Sequence, residues 1–273
     1  MSAANEVRAY QRKEYLLKFL EQDVRPDNRG LGDTREAKLT LGAISTADGS
    51  AMVKLGHTVA VCGIKAEITR PPTDKPDSGV IIANVQLPAM CAPEFKSGPP
   101  SEKAQVLSDF VQQVLLDTGM IDRTQLCIES GLHCWILYCD VICCNYDGNI
   151  RDAVLLAAVS ALKDVSLPMA QYDAEQENLT IDKDRKRQLT LSCMPVSLSF
   201  TLFDDAVLLV DPTHEEETVC QGQITVITSG GDSICSVSKH GGASLNPEQL
   251  TLCISKAKQR WCDISKLMTS NHL

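Results

Sequence analysis

Apolar and polar residues alternate along the first third of the chain, as they do in strands with one buried face. This period-two spacing predicts strands at 37–44, 50–55 and 57–67. Gly49 and Gly56 separate these strands and favour antiparallel hairpins, because glycine tolerates the turns between them. The N-terminal part is therefore expected to form an antiparallel sheet.

Two segments near the middle of the chain show helical spacing instead. Apolar residues recur every three or four positions after Ser101, a good N-cap, and Gly119 is expected to end this helix. A long apolar strand at 134–144 comes next. It is followed by an almost wholly apolar helix, for which Asp152 is the predicted cap. Because this helix is apolar on all sides, we expect it at the centre of the core.

The C-terminal part repeats the order of strands followed by a helix. Its four strand-like runs are 189–203, 206–210, 223–228 and 233–238. Asn246 and Pro247 then begin a strongly amphipathic helix. The complete pattern predicts an α+β fold with an N-terminal helix (1–24), a first half (25–168), a polar connector (169–188) and a C-terminal half (189–273).

Composition narrows the classes of function. Apolar residues make up 44% and charged residues 22% of the 273-residue chain, which excludes a disordered or coiled-coil protein. The net charge of −9 argues against a free-standing nucleic-acid binder. No signal peptide or membrane-spanning run is evident, so we expect a soluble intracellular protein without a membrane partner.

The twelve cysteines are densest between Cys134 and Cys144. On a strand, Cys139 and Cys143 would stand about 13 Å apart, too far to share one zinc ion. We therefore predict buried thiols and no metal site among them. Nucleotide-binding glycine motifs are also absent from the sequence, and no cofactor is predicted.

An acidic segment at 204–217 holds six carboxylates and no Lys or Arg. Two interpretations remain open from its chemistry. The carboxylates bind a divalent metal through oxygen ligands, or they form a solvated acidic turn after an edge strand.

Several separated stretches, taken in order, resemble the RNase PH family. More closely, they resemble the branch that supplies the non-catalytic ring subunits of the eukaryotic RNA exosome, which degrades RNA from its 3′ end. The stretches are RPDNRG (25–30), ISTADGSAMVKLGHTVAVCGIKAEI (44–68), FKSGPPSEKAQ (95–105), CDVICCNYDGNIRDAVLLAAVSAL (139–162) and VDPTHEEE (210–217). The resemblance implies an RNase PH-like fold, also called ribosomal protein S5 domain 2-like. In it helices pack on a mixed sheet built from two related βαβ-type halves.

Active members of the family cleave RNA with inorganic phosphate, and the resemblance implies that three of their site elements are degenerate here. The paired catalytic carboxylates correspond to Glu217 and Gln223, and an amide neither binds a hard cation strongly nor acts as a general acid. The phosphate-binding hydroxyl is replaced by Ile150, which leaves a vestigial Arg151. Active members bind the RNA backbone with an arginine-rich stretch, and the corresponding stretch here keeps only the cations Lys96 and Lys103. The resemblance thus implies no catalytic, phosphate or metal site.

The function expected from this resemblance is a non-catalytic subunit of the exosome core ring in the nucleus, nucleolus and cytoplasm. Its expected partners are other RNase PH-like ring subunits, S1/KH-type cap subunits, associated nucleases and RNA in the shared pore. Arg70 and Lys75, in a proline-rich loop at 69–79, and Lys96 are the candidate RNA contacts. The alternatives are an active phosphate-dependent exoribonuclease using Glu217 with Arg151, and an unrelated α+β protein with an acidic loop.

Overall fold

The structure, a computed structural model, describes residues 3–173, 178–203, 207–230, 233–242 and 244–270. Its α-helices are α1 (Ala3–Leu20), α2 (Glu102–Asp117), α3 (Ile150–Asp164), α4 (His214–Val219) and α5 (Pro247–Ser270). Its strands are β1 (Ala37–Leu41), β2 (Gly49–Leu55), β3 (Thr58–Thr69), β4 (Val80–Gln86), β5 (Cys127–Glu129), β6 (His133–Asn145), β7 (Ser166–Asp173), β8 (Asn178–Gln188), β9 (Val196–Phe203), β10 (Val207–Val210), β11 (Gly222–Gly230) and β12 (Ser233–His240).

The first sheet has the order β1-β2-β3-β6-β4, with β5 beside β6. Its pairs are antiparallel except β4 with β6, which run parallel and are joined through α2. A parallel pair needs a crossover connection, and α2 supplies it while covering the inner face of the sheet. The sheet is therefore mixed.

The second sheet has the order β10-β9-β11-β12, with every described pair antiparallel. α3 lies between the two sheets and contacts β2, β3 and β6 on one side and β9 on the other. Its residues 152–162 are all buried, which confirms the central position predicted from its composition. α5 covers the opposite face of the second sheet through Cys253 and Ala257.

Several local predictions are confirmed. The Ser101 side chain accepts a hydrogen bond from the Ala104 amide and caps α2, and Gly119 follows that helix with φ +59°. Among the clustered cysteines, three are fully buried free thiols: Cys134, Cys139 and Cys143.

Two predictions about element ends are wrong. Asp152 does not cap α3, because the helix begins at Ile150 after Asn149 as N-cap in a left-handed conformation. The carboxylate of Asp152 instead accepts hydrogen bonds from the Ser199 amide and hydroxyl, which ties α3 to β9. The strand predicted from residue 189 begins only at Val196, after Pro195. Proline lacks the amide that a central ladder requires.

The segment predicted as a polar connector, 169–188, lies largely in the β7–β8 hairpin, whose register is shifted between Pro168 and Met169. β8 is almost wholly exposed. The sequence pattern missed this hairpin together with β4 and α4. No helix in the described part of the chain has both the length and the apolar composition needed to cross a membrane.

A buried ion-pair network joins the segment after α1 to the end of β10. The guanidinium of Arg35 donates to both carboxylate oxygens of Asp211, at 2.8 and 3.0 Å. Arg25 pairs with Glu216 and donates to the Val210 carbonyl at 2.7 Å. Arg25, Asp211 and Glu216 are at most 2% exposed and Arg35 is 8% exposed. These four charges are therefore structural.

This network shows that the solvated-turn interpretation of the acidic segment is wrong for Asp211 and Glu216, whereas Glu215 is exposed. Asp211 and Glu216 are buried, and Glu216 completes a capping box with Thr213 at the start of α4. Of the six carboxylates, Asp204 and Asp205 lie outside the described residues. Within the part of the chain that is described, no three His, Cys, Asp or Glu side chains are grouped to hold a metal ion.

Burial alone would raise the pKa of the Asp211 carboxyl. Its hydrogen bonds and charge interaction with Arg35, and the hydrogen bond from Asn149, outweigh burial and lower this pKa to about 2. A carboxyl with a lowered folded-state pKa stabilises the fold above its unfolded pKa, near 4. That stabilisation is lost as the pH falls towards 2. The shift corresponds to about 2 kcal/mol.

We predict that Asp211→Asn lowers the free energy of unfolding at pH 7 by about 3 kcal/mol, because buried Arg35 loses the carboxylate that binds it through both oxygens. Denaturant unfolding at pH 7, 4 and 2.5 measures this. The difference from the wild type should shrink between pH 4 and pH 2.5, where the wild type loses the same contribution. Glu215→Gln, at an exposed carboxylate of the same segment, is the control and should change stability by less than about 0.5 kcal/mol. Equal effects of the two variants would contradict the network's role.

Candidate functional site

A cavity of about 330 Å³ lies where α2, α3, α4, β9 and β11 meet. It contains the three residues that the family resemblance assigned to the degenerate catalytic and phosphate positions: Glu217, Gln223 and Arg151. Ile150, Lys103 and Glu102 also line it. The fold thus brings together residues that are up to 121 positions apart in the chain.

Glu217 is held in place by two donors. The hydroxyl of Tyr146 donates to Oε2 at 2.6 Å, and the backbone amide of Asn149 donates to Oε1 at 2.8 Å. Lys103 Nζ in turn donates to the Tyr146 hydroxyl oxygen at 2.6 Å. Both carboxylate oxygens of Glu217 are therefore already engaged by this chain's own groups.

Tyr146 links Lys103 to Glu217, two residues of the cavity lining, and sequence reasoning assigned it no role. Burial raises the pKa of its phenol, and the charge of Glu217 raises it further, so the hydroxyl stays protonated and can donate. Its ring packs edge-on against Phe95 and His214, at centroid distances of 5.7 and 5.1 Å. Lys103 Nζ lies 4.2 Å from the Tyr146 ring centroid. The position of Tyr146 in the YDGNI stretch was the signal available for finding it.

Arg151 is half-buried, with its guanidinium carbon 5.7 Å from the Phe110 ring centroid. Burial lowers the pKa of this guanidinium, although the charges of Asp152 and Glu217 oppose that shift. The cavity lining holds Lys103 and Arg151 against Glu102 and Glu217, so its formal charge is zero. Phosphate sites normally carry an excess of cations and oriented donors. This lining lacks that excess.

The candidate RNA contacts fall into two separate places. Arg70 and Lys75 are exposed in the loop after β3, beside the start of β6, since Thr69 pairs with Cys134. Lys96 is exposed near the other end of β6, where the Tyr146 amide donates to Cys91. The strand between these ends spans roughly 40 Å. The structure therefore does not bring the three cations together, and none of them lines the cavity.

The turn at 147–149 packs directly against the acidic segment and so fixes the position of this side of the cavity. Gly148 has φ +75°, and an added Cβ would lie 2.4 Å from backbone atoms of Thr213 and His214. The Asn149 side chain donates to both Asp152 and Asp211. The YDGN and VDPT stretches are thus in direct contact.

Both halves of the chain match models of one known protein family. A model of the 3′ exoribonuclease family (RNase PH), domain 1, matches residues 33–168, and its domain 2 matches residues 193–260. This chain belongs to the 3′ exoribonuclease family. The RNase PH-like fold expected from the sequence motifs is confirmed.

Relatives and solved structures of this family cover nearly the whole chain. The exosome complex component rrp43 of Schizosaccharomyces pombe is 39% identical over 249 residues, which are 91% of this chain and 92% of that protein. The exosome complex component Rrp42 of Methanosarcina mazei is 36% identical over 98% of this chain and 97% of its own. The structure titled "archaeoglobus fulgidus exosome with RNA bound to the active site" superposes with a TM-score of 0.85 at 30% identity. The match covers 95% of this chain and 98% of that one.

We predict that Gly148→Ala destabilises this member of the 3′ exoribonuclease family by at least about 2 kcal/mol more than Gly131→Ala. Both glycines have φ +75°, but a Cβ at Gly131 meets nothing within 4 Å. Gly131→Ala should cost only the left-handed strain of about 1 kcal/mol. Thermal and denaturant unfolding of the two variants measure the difference. Similar losses would show that the contact between the two turns contributes little.

Proposed function

We propose that this chain is a non-catalytic subunit of an exosome core ring that supports 3′-to-5′ RNA processing and degradation by associated nucleases. Its relatives that carry exosome component names match it over nearly their whole lengths. The observation that carries the non-catalytic part is that the fold itself engages Glu217. Each of its oxygens accepts a hydrogen bond from within the chain, and the residue at the paired position in the same cavity lining is the neutral Gln223.

The charge of the cavity supports the same proposal. Phosphorolysis requires inorganic phosphate and the RNA 3′ end, both anionic, to bind side by side. A lining with equal numbers of acidic and basic side chains provides little attraction for two anions. Ile150 adds an apolar side chain where a hydroxyl donor would be needed. The fold is retained while the means of binding substrate are reduced.

The proposed partners are other RNase PH-like ring subunits, S1/KH-type cap subunits, associated nucleases and RNA passing through the shared pore. The archaeal structures similar to this chain are titled as an exosome core and as an exosome with bound RNA, which supports ring partners and RNA. We also propose residence in the nucleus, nucleolus and cytoplasm. Imaging of the fluorescently tagged chain tests that part.

We predict that the purified chain, given single-stranded RNA, inorganic phosphate and Mg²⁺, releases no nucleoside diphosphates. The same is expected of Arg151→Ala. Thin-layer chromatography of end-labelled RNA measures the release, with an active RNase PH as positive control. Release by the wild type that disappears in the Arg151→Ala variant would establish the alternative function, an active phosphate-dependent exoribonuclease.

We predict that Arg70→Ala combined with Lys75→Ala weakens RNA crosslinking to this subunit in the assembled ring. Each phosphate contact that is lost should also reduce the slope of the logarithm of the binding constant against the logarithm of salt concentration by about one. Lys96→Ala tests the second, distant location separately. Lys38→Ala, at an exposed lysine paired with Glu36, is the matched control and should leave crosslinking unchanged. Unchanged crosslinking in the double variant would reject this loop as an RNA contact.

A further inference from the structure

A second cavity lies between the segment 28–34 and helix α5. Its volume of about 420 Å³ falls within the range of roughly 300–1,000 Å³ that is typical of small-molecule pockets. Leu198 of β9 and Val210 of β10 form the apolar part of its wall. It shares no lining residue with the cavity of the candidate functional site, so the two are separate.

The lining of this second cavity is cationic. It contains the three cations Arg29, Lys256 and Arg260. Two carboxylates, those of Asp33 and Asp263, also line it, and its formal charge is therefore +1. The candidate functional site has a formal charge of zero, and the whole chain carries −9. A concave surface with an excess of cations favours an anionic ligand, all the more in a chain that is acidic elsewhere.

Arg29 is already neutralised within the chain. Its guanidinium pairs with Asp27 at 2.6 Å and with Asp211 at 3.4 Å. It also donates to the Asp211 carbonyl through both terminal nitrogens, at 3.2 and 3.3 Å. Arg29 therefore forms a fixed wall of the cavity, and the charge available to a ligand comes from Lys256 and Arg260.

Lys256 and Arg260 lie four positions apart on α5, which makes their side chains neighbours on one face of the helix. Two like charges in this arrangement destabilise a helix. In the described part of the chain, neither has a carboxylate oxygen within salt-bridge distance. Burial also lowers the pKa of the half-buried Arg260 guanidinium, although nearby carboxylates oppose that shift. An anion held between the two side chains would relieve both the repulsion and the cost of burial.

The two side chains reach the cavity in well-defined positions. Arg260 donates to the Thr34 hydroxyl at 2.9 Å and to the Arg35 carbonyl at 3.3 Å, which orients its guanidinium. These bonds use two of the five N–H donors of the group. Lys256 Nζ lies against the opposite wall, because a Cβ added at Gly32 would be 3.1 Å from it. The missing side chain of Gly32 leaves room for the ammonium there.

We propose that this cavity binds a small phosphorylated molecule, whose phosphate oxygens accept hydrogen bonds from Lys256 and Arg260. Charge-assisted bonds from an oriented guanidinium and an ammonium suit a phosphate group, which offers several anionic oxygens. The neutral amides of Asn28 and Gln259 also line the cavity and can bond to hydroxyl or base groups of the ligand. The inference does not rest on the proposed ring function, since it uses only residues of this chain.

Isothermal titration calorimetry of the purified full chain tests the proposal, with inorganic phosphate and ATP as probes at low ionic strength. Both should bind, and ATP more tightly. Lys256→Gln should weaken binding of each probe at least about tenfold, because one charge-assisted hydrogen bond is lost. Lys258→Gln, at a half-buried lysine of the same helix outside the lining, is the matched control and should change affinity less than about twofold.

Binding of neither probe in the millimolar range, or equal binding by Lys256→Gln and the wild type, would overturn the proposal. Arg151→Ala distinguishes the two cavities. Phosphate binding that is lost in Arg151→Ala and retained in Lys256→Gln would assign it to the candidate functional site and reject the second cavity. Arg260→Lys, which keeps the charge and loses the planar fork, should also weaken binding, and unchanged affinity in this variant would contradict the role given to Arg260.

Thermal unfolding gives an independent readout. Phosphate should raise the unfolding midpoint of the wild type, because a ligand that binds only the folded chain stabilises it, and should raise that of Lys256→Gln much less. Equal rises in both would contradict the proposal. A 5′-phosphorylated RNA oligonucleotide distinguishes a small molecule from an RNA end. If it binds more tightly than ATP, and Lys256→Gln abolishes this, the cavity holds an RNA end and the small-molecule ligand is rejected.

Discussion

The contact between Arg35 and Asp211 is the constraint on which the arrangement of this chain depends. Each charge removed from water costs several kcal/mol, and the cost is offset only where partners are numerous and well placed. Asp211 accepts from the backbone and side chain of Arg35 and from Asn149, and Arg25 and Glu216 form a second pair beside it. The segment after α1, the turn before α3 and the end of β10 must therefore meet at one point.

This network also fixes the positions of the acidic residues between 211 and 217. Asp211 and Glu216 are held by buried arginines and are themselves at most 2% exposed. Glu217 is the next residue along, and its position follows from theirs, since α4 begins with the capping box that Glu216 completes. Its carboxylate then accepts hydrogen bonds from the Tyr146 hydroxyl and the Asn149 backbone amide. Residues 211–217 are thus held in place by contacts within the fold, and the charged side chains of the cavity lining balance to zero.

Sequence patterns predicted some features of the site well because those features are local. The N-cap of α2 and the buried α3 each depend on residues close in the chain. The family motifs assigned Glu217, Gln223 and Arg151 to one site, and all three line the same cavity. The cap at Asp152 was wrong because a long-range contact to Ser199 uses that carboxylate. Local spacing carries no information about such a contact.

The sequence by itself determined the α+β class, the central apolar helix and the family, since these depend on hydrophobic periodicity and on motifs read along the chain. Only the tertiary structure decided whether an acidic residue is solvated or buried. It also decided which groups donate hydrogen bonds to the two carboxylate oxygens of Glu217. The physical reason is the same in each case. Burial and hydrogen-bond partners are set by residues tens to hundreds of positions away, as in the pairing of Arg35 with Asp211 across 176 positions.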